Sequence, residues 1–175
     1  YFFFLLASYY ILRPVRDEMA VRSGVGRLPW LFTATFLVSL AIAPLYAGLV
    51  AKLRRGVFIP LVYGFLILNI AAFWAMLNYG IALEWAAMTF FVWLSVYNVF
   101  TVSIFWSFMA DLFSSTQAKR LYPTIAAGGS LGGFTGSLMV TSLAKEIGAS
   151  NLLLIAGVFL AMAIAFALSL DKQTT

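Results

Sequence analysis

Leu152-Leu-Leu-Ile-Ala-Gly-Val-Phe-Leu-Ala-Met-Ala-Ile-Ala-Phe-Ala-Leu-Ser-Leu170 contains no charged residue. Wound as a helix it rises about 28 Å, close to the roughly 30 Å of a bilayer's hydrocarbon core. A run of this length and apolarity reads as a membrane span, and the residues on either side are read outward from it. Upstream, Lys145 to Asn151 reads as a short loop and Thr124 to Ala144 as a further apolar segment rich in small residues. Asp111 to Pro123 is the longest polar connection. Before it come apolar runs from about Ile81 to Ala110, from Val57 to Leu77, and from Trp30 to about Ala51. Lys52, Arg54, Arg55 and Gly56 close the last of these, and Asn78-Tyr-Gly80 closes the one before it. Gly and Pro punctuate the joints, as they do where helices must stop.

The first segment is different. Tyr1 to Leu12 is apolar but then meets Arg13-Pro-Val-Arg-Asp-Glu18. Twelve residues rise only about 18 Å, too little to span. Either residues precede Tyr1, or the helix continues through the charges towards Val21, where Ser23-Gly-Val-Gly26 and Pro29 break it. The chain begins at Tyr1 inside an apolar run and stops at Asp171-Lys-Gln-Thr-Thr175, so a piece of a longer protein is expected, with 1–170 as one helical membrane domain and 171–175 as the start of a polar linker.

Composition agrees. The 175 residues are 63% hydrophobic and 10% charged, with mean hydropathy +1.00. Soluble domains carry about 25% charged residues. The expectation is an all-α integral membrane protein of six transmembrane helices, with the lipid bilayer as its first partner. The absence of Cys and His removes disulfides, thiol chemistry, the common zinc sites and any nucleophile activated by His. No enzyme, metal or cofactor is expected. The net charge of +5 lies in loops rather than on a polar stripe, so no nucleic acid is expected either. Lys52, Arg54, Arg55, Lys119, Arg120 and Lys172 fall on one side. Arg22, Arg27 and Lys145 fall on the other, together with Arg13 and Arg16 if these lie outside the core. The richer side is expected to be cytoplasmic, with the N-terminus on it.

Five features could carry function. Arg13, Arg16 and Asp17 are ionisable groups on an otherwise apolar helix, and such groups at membrane depth mark substrate or ion paths. Spacing puts Arg13 and Arg16 on one face and lets Asp17 pair with Arg13, leaving Arg16 to meet an anion. Pro14 could break the helix locally. The plainer alternative places these charges at a helix end among headgroups. Gly128, Gly132 and Gly136 recur every four residues, with Gly129 and Gly133 on a neighbouring ridge. That stripe permits close helix approach; it lacks the lysine and preceding strand of a phosphate loop. In Asp111–Pro123, Ser114 or Ser115 can cap a short helix. Asp111, Lys119 and Arg120 there either fix topology or form a cytoplasmic gate. Asn98, expected deep in the fourth span, is interhelical glue or a substrate contact. Gly48-Leu-Val-Ala-Lys-Leu-Arg-Arg55 faintly resembles the loop motif of major-facilitator transporters, without its acidic residue.

Two motifs together resemble a known family. Tyr9-Tyr-Ile-Leu-Arg13-Pro-Val-Arg16-Asp17 is similar to the first-helix motif of the ATP/ADP translocases (NTP/NDP exchangers) of plastids and intracellular bacteria. Phe105-Trp106-Ser-Phe-Met-Ala-Asp111, followed by Gln117-Ala-Lys119-Arg120-Leu-Tyr122-Pro123, is similar to that family's fourth-helix and loop motif. The glycine-rich helix follows in the same order. The resemblance implies the N-terminal half of a twelve-helix, major-facilitator-like transporter in a cell membrane, as in a bacterial inner membrane, completed by a C-terminal half. It also implies alternating-access exchange of ATP for ADP or another anionic small molecule. Tyr9, Arg13, Arg16, Asp17 and Asn98 would contact the substrate. The family's second basic position is typically lysine, whereas here it is Arg16, whose fork still suits phosphate. Family exchangers also carry a glutamate in the fourth helix, but Leu94-Ser-Val-Tyr-Asn98 has no acid. The resemblance therefore carries the fold further than the substrate. The alternatives are a permease for a non-nucleotide solute, or a membrane scaffold or sensor that uses the glycine stripe only for assembly.

Overall fold

A computed structural model describes residues 1–174; Thr175 lies outside the described residues. Among them there are five α-helices and a 3-10 turn: α1 Phe2–Ser23, the turn Val25–Arg27, α2 Leu28–Lys52, α3 Arg55–Tyr79, α4 Leu83–Leu112 and α5 Ser115–Thr174. Four of these stretches are long and apolar enough to cross a membrane: Val25–Lys52, Arg55–Tyr79, Leu83–Leu112 and Ser115–Gln173. Six separate spans were expected, and the element count differs at two places. α1 carries too many charges to qualify on apolarity, and the last two apolar runs are joined without a loop inside α5.

The joints follow local chemistry. α1 does not stop at its charges: it continues through Pro14 to Ser23 and ends at Gly24, whose φ of 102° is a conformation glycine tolerates best. Pro29 sits in the first turn of α2, where its missing N–H costs nothing. Gly80, left-handed at φ 69°, closes α3. Asp111–Pro123 is mostly helix rather than a long connection. Ser114 caps α5: its hydroxyl accepts the Gln117 N–H at 3.4 Å, while the Gln117 carboxamide accepts the Ser114 N–H at 3.0 Å. This reciprocal box lets the helix begin at once.

The expected loop Lys145–Asn151 is also helical, apart from Gly148 at φ 80°, ψ 162°. One residue suffices to turn the chain back. Gly132 and Gly136 in the first limb of α5 lie on the backbone of Phe3 and Ala7. In the second limb Phe166 stacks on Phe4 and Phe159 packs tilted against it, with centroids 5.2 and 5.8 Å away. Ser8 donates a 2.9 Å hydrogen bond to the carbonyl of Ala156. A straight α5 could not reach the same two turns of α1 from both limbs, so the limbs run in opposite directions. Residues 171–174, expected in a linker, form the last turn of the second limb.

α1 is consequently the central element. Leu5, Ala7, Ser8, Ile11, Leu12 and Val15 are almost wholly buried between both limbs of α5 and α4. Buried hydroxyls cross-link the bundle: Ser8 reaches the Tyr97 hydroxyl at 3.2 Å, and the Tyr1 and Tyr63 hydroxyls meet at 2.5 Å. α3 lies against α4 and the second limb. α2 is the outlier, leaning on α4 with only Leu31 buried.

Candidate functional site

One stripe of α1 is left uncovered by its neighbours. It includes Leu6, Tyr10, Arg13 and Asp17, with Arg16 at its edge. The first limb of α5 flanks it on one side, because Gly133 and Gly136 let that limb lie against Tyr10. α4 flanks it on the other side, where the Arg16 guanidinium lies 5.3 Å from the centre of the Phe91 ring. Ser95 and half-buried Asn98 follow Phe91 at helical spacing and so share that face of α4. On the α5 side, Phe2, Leu6, Tyr10, Ser130, Phe134 and Ser137 line a groove of about 490 Å³. The open face thus carries Arg13 and Asp17 with Arg16 at its edge, Tyr10, Ser130 and Ser137 line the groove beside it, and helical spacing puts Asn98 on the face of α4 that bears Phe91.

The electrostatics differ from the spacing rule in one respect. Asp17 pairs with its neighbour Arg16, at 3.1 Å from Nε and 3.0 Å from Nη2, and not with Arg13. Both are held at the edge facing α4, whereas Arg13 lies over Tyr10, which the first limb of α5 meets at Gly133. There its guanidinium lies 5.8 Å from the centre of the Tyr10 ring, and no carboxylate of the described residues stands within ion-pair distance. The expected pairing is therefore exchanged: among the described residues Asp17 is paired with Arg16, and Arg13 has no carboxylate partner. Because α1 continues to Ser23, Arg13 also lies in the middle of the helix and not at its end.

Tyr9 is not on this face. It is 9% exposed and belongs to the core, and Tyr10 occupies the position beside Arg13. Adjacent tyrosines on a helix point about 100° apart, and no periodicity in so apolar a segment says which one faces out.

Asp111, Lys119 and Arg120 are exposed, and no ion pair joins them to one another. They lie at the end of the bundle where Tyr1, Phe113, Leu121 and Leu170 converge. Arg55 reaches the same end through Phe108, so Lys52, Arg54 and Lys172, beside it and beside Leu170, gather there too. Arg22 and Arg27 lie at the opposite end, beside Glu84 and Leu83. The two basic groups separated by counting along the sequence are thus separated in space.

Two groupings were not read from the sequence. Arg55 faces Asp171 at 3.9 Å, and the last turn of α5 thereby places a carboxylate beside the basic α2–α3 joint. The basic joint alone could not reveal an acid that far along the chain. The glycine ridge divides as well. Gly129, Gly132, Gly133 and Gly136 are consumed against α1, whereas a side chain at Gly128 would meet nothing within 4 Å.

Comparison of this chain with family models, with curated proteins and with solved structures finds no match.

Proposed function

We propose that this chain is a membrane-embedded half of a secondary transporter that moves an anionic solute by alternating access, with Arg13 as its principal anion contact. In this reading α1, α2, α3, α4 and the two limbs of α5 make six crossings, and a second half closes the open face of α1. The observation that carries it is Arg13: an arginine in mid-helix, without a carboxylate partner among the described residues, on an uncovered face beside a groove that Tyr10, Ser130 and Ser137 line. An ionisable group so placed at membrane depth is costly unless a ligand uses it. Arg16 and Asp17 form a neutral pair beside it that shapes the site without adding net charge. The end bearing Lys52, Arg54, Arg55, Lys119, Arg120 and Lys172 would face the cytoplasm, since basic loops stay on that side. Asp111, Lys119 and Arg120, unpaired with one another within this half, would find gate partners on the other half.

Nucleotide exchange is the specific substrate reading, from the resemblance of the first-helix and fourth-helix motifs. A non-nucleotide anion is the second reading, favoured by the absence of an acid in Leu94–Asn98. A scaffold that assembles through its glycine stripe is disfavoured, because α1 of the same chain already occupies most of that stripe.

The test is uptake into liposomes holding the full-length protein and preloaded with ADP. Labelled ATP should enter only when ADP is inside. Arg13→Ala should lower uptake roughly tenfold or more, the loss expected for a charge-assisted contact. Arg16→Ala would leave Asp17 unpaired, and its defect should be relieved by Arg16→Ala/Asp17→Asn. No nucleotide uptake, with Arg13-dependent uptake of another anion, would retain the site and replace the substrate. Anion uptake indifferent to Arg13 would overturn the reading.

A further inference from the structure

α2 and α3 are joined by only two residues, Leu53 and Arg54, yet the helices barely touch along their length. Beside α2, with α4 as the floor, runs a lateral opening in two parts, the second of which α3 also lines. One, of about 960 Å³, extends along α2 and α4 from Arg27 and Glu84. The other, of about 360 Å³, continues along α2, α3 and α4 to Leu49 and Phe58. Ile42, Trp93 and Val96 line both, so the two parts form a continuous apolar trench.

The mouth of the trench has a distinct chemistry. Arg27 and Glu84 form an ion pair across it, from the turn before α2 to the start of α4. Trp30 and Trp85 stand beside the pair and are 76% and 70% exposed. Exposed tryptophans next to charges are the arrangement found at the level of lipid headgroups. Nearby, Arg22 pairs with Glu18. The mouth therefore offers both signs of charge and no net charge.

We propose that this trench seats one phospholipid with a zwitterionic phosphoethanolamine headgroup. The phosphate would meet the guanidinium fork of Arg27 and the primary ammonium would meet Glu84, while an acyl chain lies along α2 and α4 towards Ile42 and Trp93. The order of chemistry along the trench favours a lipid: paired charges and exposed tryptophans at its mouth, then an apolar wall from Leu31 to Ile42 and Val96, match a headgroup followed by an acyl chain. Headgroup chemistry selects among lipids. A choline has no N–H to donate to Glu84, and an anionic headgroup meets the repulsion of that carboxylate without relief. The proposal requires only that the chain reside in a bilayer, and so does not depend on transport.

The test uses tryptophan fluorescence of the full chain in dioleoyl phosphatidylcholine bilayers. Phosphatidylethanolamine, phosphatidylcholine or phosphatidylglycerol with brominated chains is added at equal mole fraction. The brominated phosphatidylethanolamine should quench with an affinity about threefold above that of phosphatidylcholine, the factor expected from one exposed charge contact. The preference should vanish in Glu84→Gln and in Arg27→Gln/Glu84→Gln. It should vanish also in Trp30→Phe/Trp85→Phe/Trp93→Phe, where only Trp74 and Trp106 report. The unmutated chain alone can overturn the proposal, so misfolding of a variant does not shield it. Equal quenching by the three lipids, or strongest quenching by phosphatidylglycerol, would overturn it. Little quenching by any of them would also do so, because it would mean that a protein segment fills the trench.

Discussion

At the scale of the residue, what matters is which side chain has a partner. Arg13 and Arg16 differ by three positions and by everything around them: one lies over a tyrosine ring, the other is bound to Asp17. Glycine identity matters in the same positional way. A Cβ at Gly132 would fall on the Phe3 carbonyl, and one at Gly136 would lie 2.6 Å from the Ala7 carbonyl oxygen. Backbone cannot swing aside as a side-chain tip can, so α1 and α5 must separate. Gly132→Ala and Gly136→Ala should each cost about 1–3 kcal/mol, the range for overpacking. Gly128→Ala, with open space around it, should not destabilise and should gain up to about 1 kcal/mol from helix propensity. Unfolding in mild detergent, followed by circular dichroism, measures the contrast. Equal effects at the three positions would show that the α1–α5 contact is not close.

At the scale of the element, an ion pair joins the start of α3 to the end of the second limb of α5. Arg55 Nε is 3.9 Å from Asp171, Arg55 Nη1 is buried without a hydrogen-bond partner, and the guanidinium lies 5.8 Å from the centre of the Phe108 ring. This is a loose ion pair on an arginine side chain that is 38% exposed. Asp171→Asn should therefore destabilise by about 1 kcal/mol at most. Its clearer effect should be local: faster hydrogen exchange at the last turn of α5 and the first turn of α3, with the middle of both helices unchanged. Uniform exchange across the bundle would mean that the pair holds more than its own joint. α2 stands at the other extreme, held chiefly through α4 and the turn before it.

At the scale of the whole molecule, the decisive event is the reversal at Gly148. It converts a single long helix into two limbs that clasp α1 and makes α1 central. The absence of cysteine makes the reversal easy to test. Phe4→Cys/Phe166→Cys, whose rings stack 5.2 Å apart in the parent, should cross-link with a short bifunctional thiol reagent. Phe4→Cys paired with a cysteine at Ser115, outside the stack, should not. Cross-linking of neither pair would mean that α5 does not fold back.

The sequence by itself determined the all-helical character and most of the helix breaks, and its apolar runs suit a membrane. Helix breaks at Gly24 and Gly80, the Ser114 cap and the lengths of the apolar runs are local properties, set by backbone freedom, capping and hydropathy over a few neighbours. The glycine ridge was legible for the same reason, since a four-residue repeat of glycine has few uses other than close approach. Only the tertiary structure decided which tyrosine faces out, which arginine pairs with Asp17, which acid meets Arg55 and that α2 stands away from α3. In helices apolar on every side, the hydrophobic pattern carries no azimuth. The orientation of a side chain is then fixed by whichever helix covers it, and that helix lies far away in the sequence.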